Sequence, residues 1–465
     1  MNDNTSNPRS PDLSESSLGL GQIFTITVGT IIGIGWITML GLWLQQAGPL
    51  GAILAFLGGV MVILPIVFCY GELATALPRM GGEIAWLEAV GGWRAGFAAG
   101  WLLLLTFLSV IAFEAVSTGW IISALFPVIG EVPTMTVAGL ILRPGEMAVA
   151  ITVMAGIVLA QISTASGFGR LQDFATYGKL AVSALFIMAG LVFGSSANLA
   201  PLMTGTDAPD QWRNILALLV TTPFWFAGFN AAAQAIGERN GKSLGRGVGA
   251  TLVAAVLTSL AFYCLVIAAA SMAAPRAAIL AHPFPAAGAF EALFGTGMAK
   301  LVLLAGLLGL VSTWNAVTFA AVRVLGKLSR DAMLPRWVGG KGAIVITVAC
   351  GLTGIVLGRP IIGTVVNASA ACVSLLFLLV ALATLRLRRD RPQLDRPYRM
   401  PGGGIMGILA TLCAASLLVL YLLAAVSGPH MVSDDLQILV VWLYFGGWLM
   451  VRAHVGRSQA RRSDR

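Results

Sequence analysis

Apolar segments of about twenty residues or more recur along the whole chain. A helix needs ~20 mostly apolar residues to cross a bilayer, and in hydrocarbon only structures that satisfy their own backbone hydrogen bonds can span. We count twelve such segments, at approximately 18–46, 49–77, 92–127, 145–163, 172–195, 212–237, 247–273, 287–321, 342–358, 361–386, 404–427 and 435–453. The third and eighth exceed a simple crossing, so they are expected to tilt or to project beyond the lipid. Composition agrees: 57% of the 465 residues are hydrophobic and 11% charged, against about 25% charged in a soluble domain. The expected fold is an all-α polytopic membrane protein.

Basic residues set its expected orientation, because cytoplasmic loops carry an excess of Lys and Arg. With the N-terminus inside and the segments alternating, 24 of the 29 Lys and Arg fall on the cytoplasmic side. The other side receives 5: Arg143, Arg213, Arg276, Lys300 and Arg359. One missed or extra segment would scramble that split, so both termini are expected inside, in the cell membrane. The net charge of +9 then reflects clusters at Arg386–Arg399 and at the C-terminus, facing anionic lipid rather than nucleic acid. Residues 1–17 are polar and lack the features of a signal peptide, and are expected to form a disordered cytoplasmic tail. Residues 454–465 form a basic one. The five cysteines all lie in apolar segments without ligand-like spacing, which suits small apolar side chains better than a metal site.

The first segment carries an interruption, Gly29-Thr-Ile-Ile-Gly-Ile-Gly-Trp36. Glycine costs about 1 kcal/mol relative to alanine inside a helix. Backbone groups freed in a bilayer have no water to turn to. Such a break is tolerated where it lines a cavity, as in the discontinuous helices of transporters. Close helix packing is the competing explanation for a lone Gly-x-Gly. The sixth segment supplies a second interruption, Thr222-Pro-Phe-Trp-Phe-Ala-Gly-Phe-Asn-Ala231, with Pro223, Gly228 and a mid-span Asn230. Segments one and six correspond if the chain holds two five-helix repeats, and inverted-repeat transporters put their broken helices in corresponding positions.

These residues resemble the amino acid–polyamine–organocation (APC) family of secondary transporters. Gly33-Ile34-Gly35 stands where that family has a Gly-Ser-Gly-like break, and Phe224-Trp-Phe-Ala-Gly-Phe-Asn230 resembles its sixth-span motif. Glu72-Leu-Ala-Thr-Ala-Leu-Pro-Arg-Met-Gly-Gly-Glu83, Ser329-Arg-Asp-Ala-Met-Leu-Pro335 and Arg396-Pro-Tyr-Arg-Met-Pro-Gly402 are similar to its cytoplasmic loops. The resemblance implies a LeuT-type fold: 12 transmembrane helices, a 5+5 inverted repeat (18–195 and 212–386) and two C-terminal helices (404–453). Two departures matter. Ile34 replaces a frequent serine, removing a hydroxyl, and Asn230 replaces an Asp or Glu found in many relatives, removing a counter-charge.

An amino acid brings a carboxylate and an ammonium. A half-helix start offers free N–H groups to the first, and a half-helix end offers free C=O groups to the second. The expected carboxylate ligands are the N–H groups of Ile34, Gly35 and Trp36, so that a leucine at Gly35 should fill the carboxylate's place. The expected amine ligands are the C=O groups of Ile31, Phe224 and Ala227, with Asn230 nearby. By resemblance, Phe224 is the aromatic gate over bound substrate. Glu114, near the middle of the third segment, is costly in lipid and is a functional candidate by default, with Lys179 or a substrate cation as partner. Glu72 is a candidate gate or ion-pair residue, or an interfacial structural one. Lys179 in the fifth segment either snorkels to the interface or, as the resemblance implies, puts its ammonium where sodium-coupled members of this fold hold sodium, beside Ser312 and Thr313. Burial disfavours a charged lysine, which suits a proton carrier.

The expected function is import of an amino acid or related amine by a secondary transporter, with proton symport as the expected coupling. An uncoupled exchanger and a non-transporting sensor stand as alternatives. The sequence has no HExxH, no nucleophile elbow and no Cys/His cluster, so neither an enzyme nor a cofactor or metal is expected.

Overall fold

The first apolar segment folds as pieces. In the computed structural model, α1 (Leu20–Ile31) ends where the backbone leaves the helical region at Ile32 (φ −80°, ψ 79°). The helix resumes as α2 (Gly35–Thr38) and, after an irregular Met39, as α3 (Leu40–Ala76). α3 is itself bent at Gly48 (φ 76°, ψ 174°), a conformation open to glycine and followed by Pro49. Residues 40–47 therefore complete the first segment, and 49–76 form the second.

The structure describes residues 19–79, 81–137, 139–162, 168–230, 245, 247–426 and 433–463, without the side chains of 160–162, 168–176, 312 and 456–463. The tail expected at 1–17, the side chains of the basic tail from 456 onwards and the end of the sixth segment lie outside them. After α3 come α4 (Gly82–Gly91), α5 (Trp93–Leu125), α6 (Pro127–Gly130), β1 (Met135–Val137), β2 (Leu140–Leu142), α7 (Pro144–Ile162) and α8 (Phe168–Phe193). The sixth segment opens with α9 (Ala208–Leu219) and α10 (Thr222–Phe226). Then follow α11 (Gly247–Ala273), α12 (Arg276–Ala281), α13 (Pro285–Phe294), α14 (Thr296–Arg330), α15 (Lys341–Leu357), α16 (Ile361–Asp390), α17 (Gly404–Val426) and α18 (Asp434–Ser463). Among the described residues, and with the broken α1–α2 stretch Leu20–Thr38 counted as one, 8 helices are long and apolar enough to cross a membrane, beside shorter apolar ones at Pro144–Leu159, Tyr177–Phe193 and Lys341–Leu357. The chain is a helical, multi-pass membrane protein.

Two local expectations change. Residues 287–321 are not one long helix: the chain divides at Gly295 (φ 83°), leaving the short α13 and an α14 that runs on to Arg330. The connection before α7 holds a small antiparallel hairpin, Met135 opposite Leu142, turning at Gly139 (φ 81°). The β-branched Thr136, Val137 and Ile141 on either side of a permissive glycine favour it.

α5 and α16 form the centre and are mostly buried, whereas α17 and α18 are mostly exposed and present apolar side chains outward. α18 is pinned to α5 by two indoles. Trp101 and Trp442 stack at 4.2 Å, and each Nε1–H donates to the other's carbonyl, at 2.9 and 3.0 Å.

Candidate functional site

The two interruptions meet. A Cβ on Gly228 would lie 2.5 Å from the Ile31 nitrogen and 2.7 Å from the Thr30 carbonyl carbon, so only glycine lets the sixth segment cross the end of α1 this closely. Beside the crossing lies a cavity of about 550 Å³. Gly29 to Ile31, Gly33 to Gly35, Phe224, Ala227, Gly228 and Asn230 all line it. Its lining continues along α1 towards Phe24 and along α14 towards Ala320. Trp225 and Tyr263, which also line the cavity, pack largely edge to face with buried Trp43, Phe56 and Phe226, with centroids 4.8 Å apart for Trp43 and Phe56 and 5.1 Å for Trp43 and Trp225.

The break frees backbone groups unequally. Among the described residues, the N–H groups of Ile34, Gly35 and Trp36 meet no acceptor. The Ile31 carbonyl, expected to be free for an amine, accepts from the Gly33 N–H at 2.9 Å and the Tyr263 hydroxyl at 2.8 Å. Both its acceptor positions are taken in this conformation. The Ala227 carbonyl accepts from the Asn230 N–H at 3.2 Å, and that of Phe224 from the Ala227 N–H at 3.4 Å.

Side-chain directions at the break also differ from expectation. A Cβ on Gly35 would run into the six-membered ring of Trp225, with Cε3 at 2.9 Å, not into the cavity. Gly33 is the glycine that faces open space: a Cβ there would have no heavy atom of another element within 4 Å. Ile34 is buried, and its Cδ1 lies against Gly306 of α14. The Trp36 indole turns to Phe186 (5.2 Å) and Phe262 (6.0 Å) and does not line the cavity. Phe224 does line it, edge-on to Trp225 at 4.8 Å and to Phe113 at 6.1 Å. Asn230 is 5% exposed at the cavity's edge.

Lys179 is 3% exposed, and its ammonium donates to the Gly29 carbonyl at 3.2 Å instead of extending to the helix end. Gly309 on α14 makes room: a Cβ there would be 2.9 Å from Lys179 Cδ. Thr313, one turn further, lines the cavity but donates its hydroxyl to the Gly309 carbonyl at 3.0 Å. The Ser312 side chain lies outside the described residues. Glu114 lines the cavity, buried and within electrostatic reach of Lys179, and its Oε2 has no hydrogen-bond partner among the described residues.

Glu72 does not border the cavity, and of the roles open to it the structure supports the ion pair. Fully buried, it receives Arg388 through Nε (2.7 Å) and Nη2 (2.5 Å) and the Met400 N–H (2.9 Å), with Arg396 Nε at 3.3 Å. It ties the connection before α17 to α3. The Tyr398 ring seals that joint, resting where side chains on Gly71 and Gly249 would stand.

Tyr263, Gly306 and Gly309 contribute to the site without standing out in the sequence, and Trp225, part of the sixth-segment motif, proves to be the neighbour of Gly35. The one available signal is a tyrosine inside the otherwise apolar α11, since a buried phenol needs a partner.

A model of the amino acid permease family matches residues 18–448. The chain is 25% identical over 460 residues to the methylthioribose transporter of Bacillus subtilis (strain 168), covering 94% of this chain and 91% of that one. To the branched-chain amino acid permease BcaP of the same organism it is 24% identical over 415 residues, 85% and 86% of the two chains. To that organism's aspartate–proton symporter it is 23% identical over 431 residues, 86% and 78%. These are permeases and transporters rather than enzymes, and the family match takes in both interruptions and the whole cavity. The chain belongs to the amino acid permease family, within the APC transporters.

Proposed function

We propose that this chain imports an amino acid or related amine across the cytoplasmic membrane, by alternating access around its broken first and sixth segments. The observation that carries the reading is the set of unspent N–H groups at Ile34, Gly35 and Trp36, at a break that borders one cavity with Phe224 to Asn230. Oriented N–H groups at a helix start suit a carboxylate. The carbonyls of Phe224 and Ala227 take the amine, and that of Ile31 joins them once Tyr263 withdraws. Phe224 closes over the substrate. The chain is read as twelve spans, with repeats at 18–195 and 212–386 and both termini cytoplasmic. The cavity lining then runs towards the cytoplasm, while the aromatic cluster around Trp43 blocks the other side, an inward-facing arrangement.

Coupling is to protons. The Lys179 ammonium is held on α1 by the Gly29 carbonyl while its stem passes Gly309 of α14, within electrostatic reach of Glu114, where a proton can be held in one conformation and released in another. Reconstitution into proteoliposomes, with labelled amino acids and an imposed proton or sodium gradient, tests the reading. Accumulation driven by an inward proton gradient without sodium supports it. Counterflow without accumulation under any gradient identifies an exchanger instead, and binding without either flux identifies a sensor.

A further inference from the structure

We propose that the cavity takes amino acids whose side chain is uncharged and mainly apolar, and turns away those with a cationic or anionic one. The proposal rests on reading the cavity as the amino-acid site. The carboxylate and amine are met by main-chain groups at the break, so the remaining walls meet the side chain. On α5 and α14 those walls are Phe107, Val110, Phe113, Ala316, Val317 and Ala320. All six are apolar.

The threonines between them are already engaged. Thr25 donates to the Gln22 carbonyl at 3.1 Å, Thr30 to Ile26 at 2.6 Å, Thr106 to Leu102 at 3.1 Å and Thr313 to Gly309 at 3.0 Å. Each of these hydroxyl protons is spent on its own helix, so none of the four threonines has one left to stabilise a side-chain carboxylate. Among the described residues that line the cavity there is no Lys, Arg or His, and Glu114 is the single acid. Lys179, within electrostatic reach of it, does not line the cavity. A cationic side chain would therefore compete with Lys179 for Glu114, and an anionic one would meet Glu114 with no cation in the wall beside it. A charge moved from water into such a site without a partner is strongly disfavoured.

The test measures uptake of labelled L-leucine, L-arginine and L-glutamate separately in proteoliposomes of the intact chain. Leucine uptake should exceed each of the others by about tenfold or more, the discrimination expected when a charged side chain finds no partner. Arginine or glutamate uptake equal to or above that of leucine overturns the proposal and leaves the transport reading standing. Absence of uptake across a full panel of labelled amino acids overturns both. A second arm uses Val317→Asp, which puts a carboxylate on the α14 wall. It should lose leucine uptake and gain inhibition by excess arginine. Unchanged selectivity in a folded Val317→Asp protein overturns the assignment of that wall to the side chain, and if the variant does not fold, the wild-type comparison alone decides.

Discussion

The ammonium of Lys179 donates to the main-chain carbonyl of Gly29 at 3.2 Å, tying α8 to the last turn of α1 before it breaks. The bond depends on a third helix, because Gly309 of α14 leaves the space through which the lysine stem passes. Gly309→Val is expected to displace Lys179 while keeping its charge. Gradient-driven accumulation should fall as it does on removing the lysine, by about tenfold or more, because a small misplacement of a functional group costs that much or more. Uptake assays on the two variants side by side check this, and normal accumulation by Gly309→Val would show that the position of the ammonium is unimportant.

Gly33 and Gly35 should answer differently to substitution. Gly33 faces open cavity and Gly35 faces the Trp225 ring. Gly33→Leu should preserve the melting temperature in detergent and abolish uptake, by occupying the space beside the free N–H groups. Gly35→Ala should lower stability by ~1–3 kcal/mol through overpacking, since Trp225 is held between Trp43 and Phe224. Thermal unfolding and uptake, measured on both, separate the two effects.

Phe224 is placed edge-on to Phe113 across the cavity wall. Phe224→Ala should reduce uptake far more than Phe224→Tyr or Phe224→Trp, because a flat ring is what covers the substrate. Equal rates for the three variants would make it an ordinary wall residue.

Glu72 lies at the other extreme, in an ion cluster away from the cavity. Glu72→Gln leaves the guanidinium groups of Arg388 and Arg396 without their carboxylate. Breaking a buried pair from one side costs ~3–5 kcal/mol, so a large drop in melting temperature is expected. The folded fraction should bind substrate with unchanged affinity, since Glu72 does not border the cavity. A weakened affinity at unchanged stability would assign Glu72 to the site after all.

The membrane class, the two interruptions and their pairing are legible in the sequence because each depends on a local pattern: apolar length, clustered glycine, or proline beside aromatics. What the pattern does not carry is direction. Nothing near Gly35 says that its α-carbon faces Trp225, about 190 residues away, or that Ile34 rests on Gly306. The partners of Glu72 sit more than 300 residues along the chain, so its charge looks isolated until the connection before α17 folds onto α3. Gly295 looks like any packing glycine in an apolar stretch, yet its positive φ divides the expected eighth segment. Lys179 shows a mixed case: its helix is readable, while its depth stays open between the interface and the interior, and its bond to Gly29 follows from the break in another helix.

Whether Lys179 couples proton movement to transport is tested most directly by uptake under an inward proton gradient, with and without sodium. The wild type should accumulate substrate equally well without sodium. Lys179→Ala should lose that accumulation and retain substrate binding or exchange. A sodium requirement in the wild type, or accumulation by Lys179→Ala equal to that of the wild type, would contradict a coupling role for this lysine.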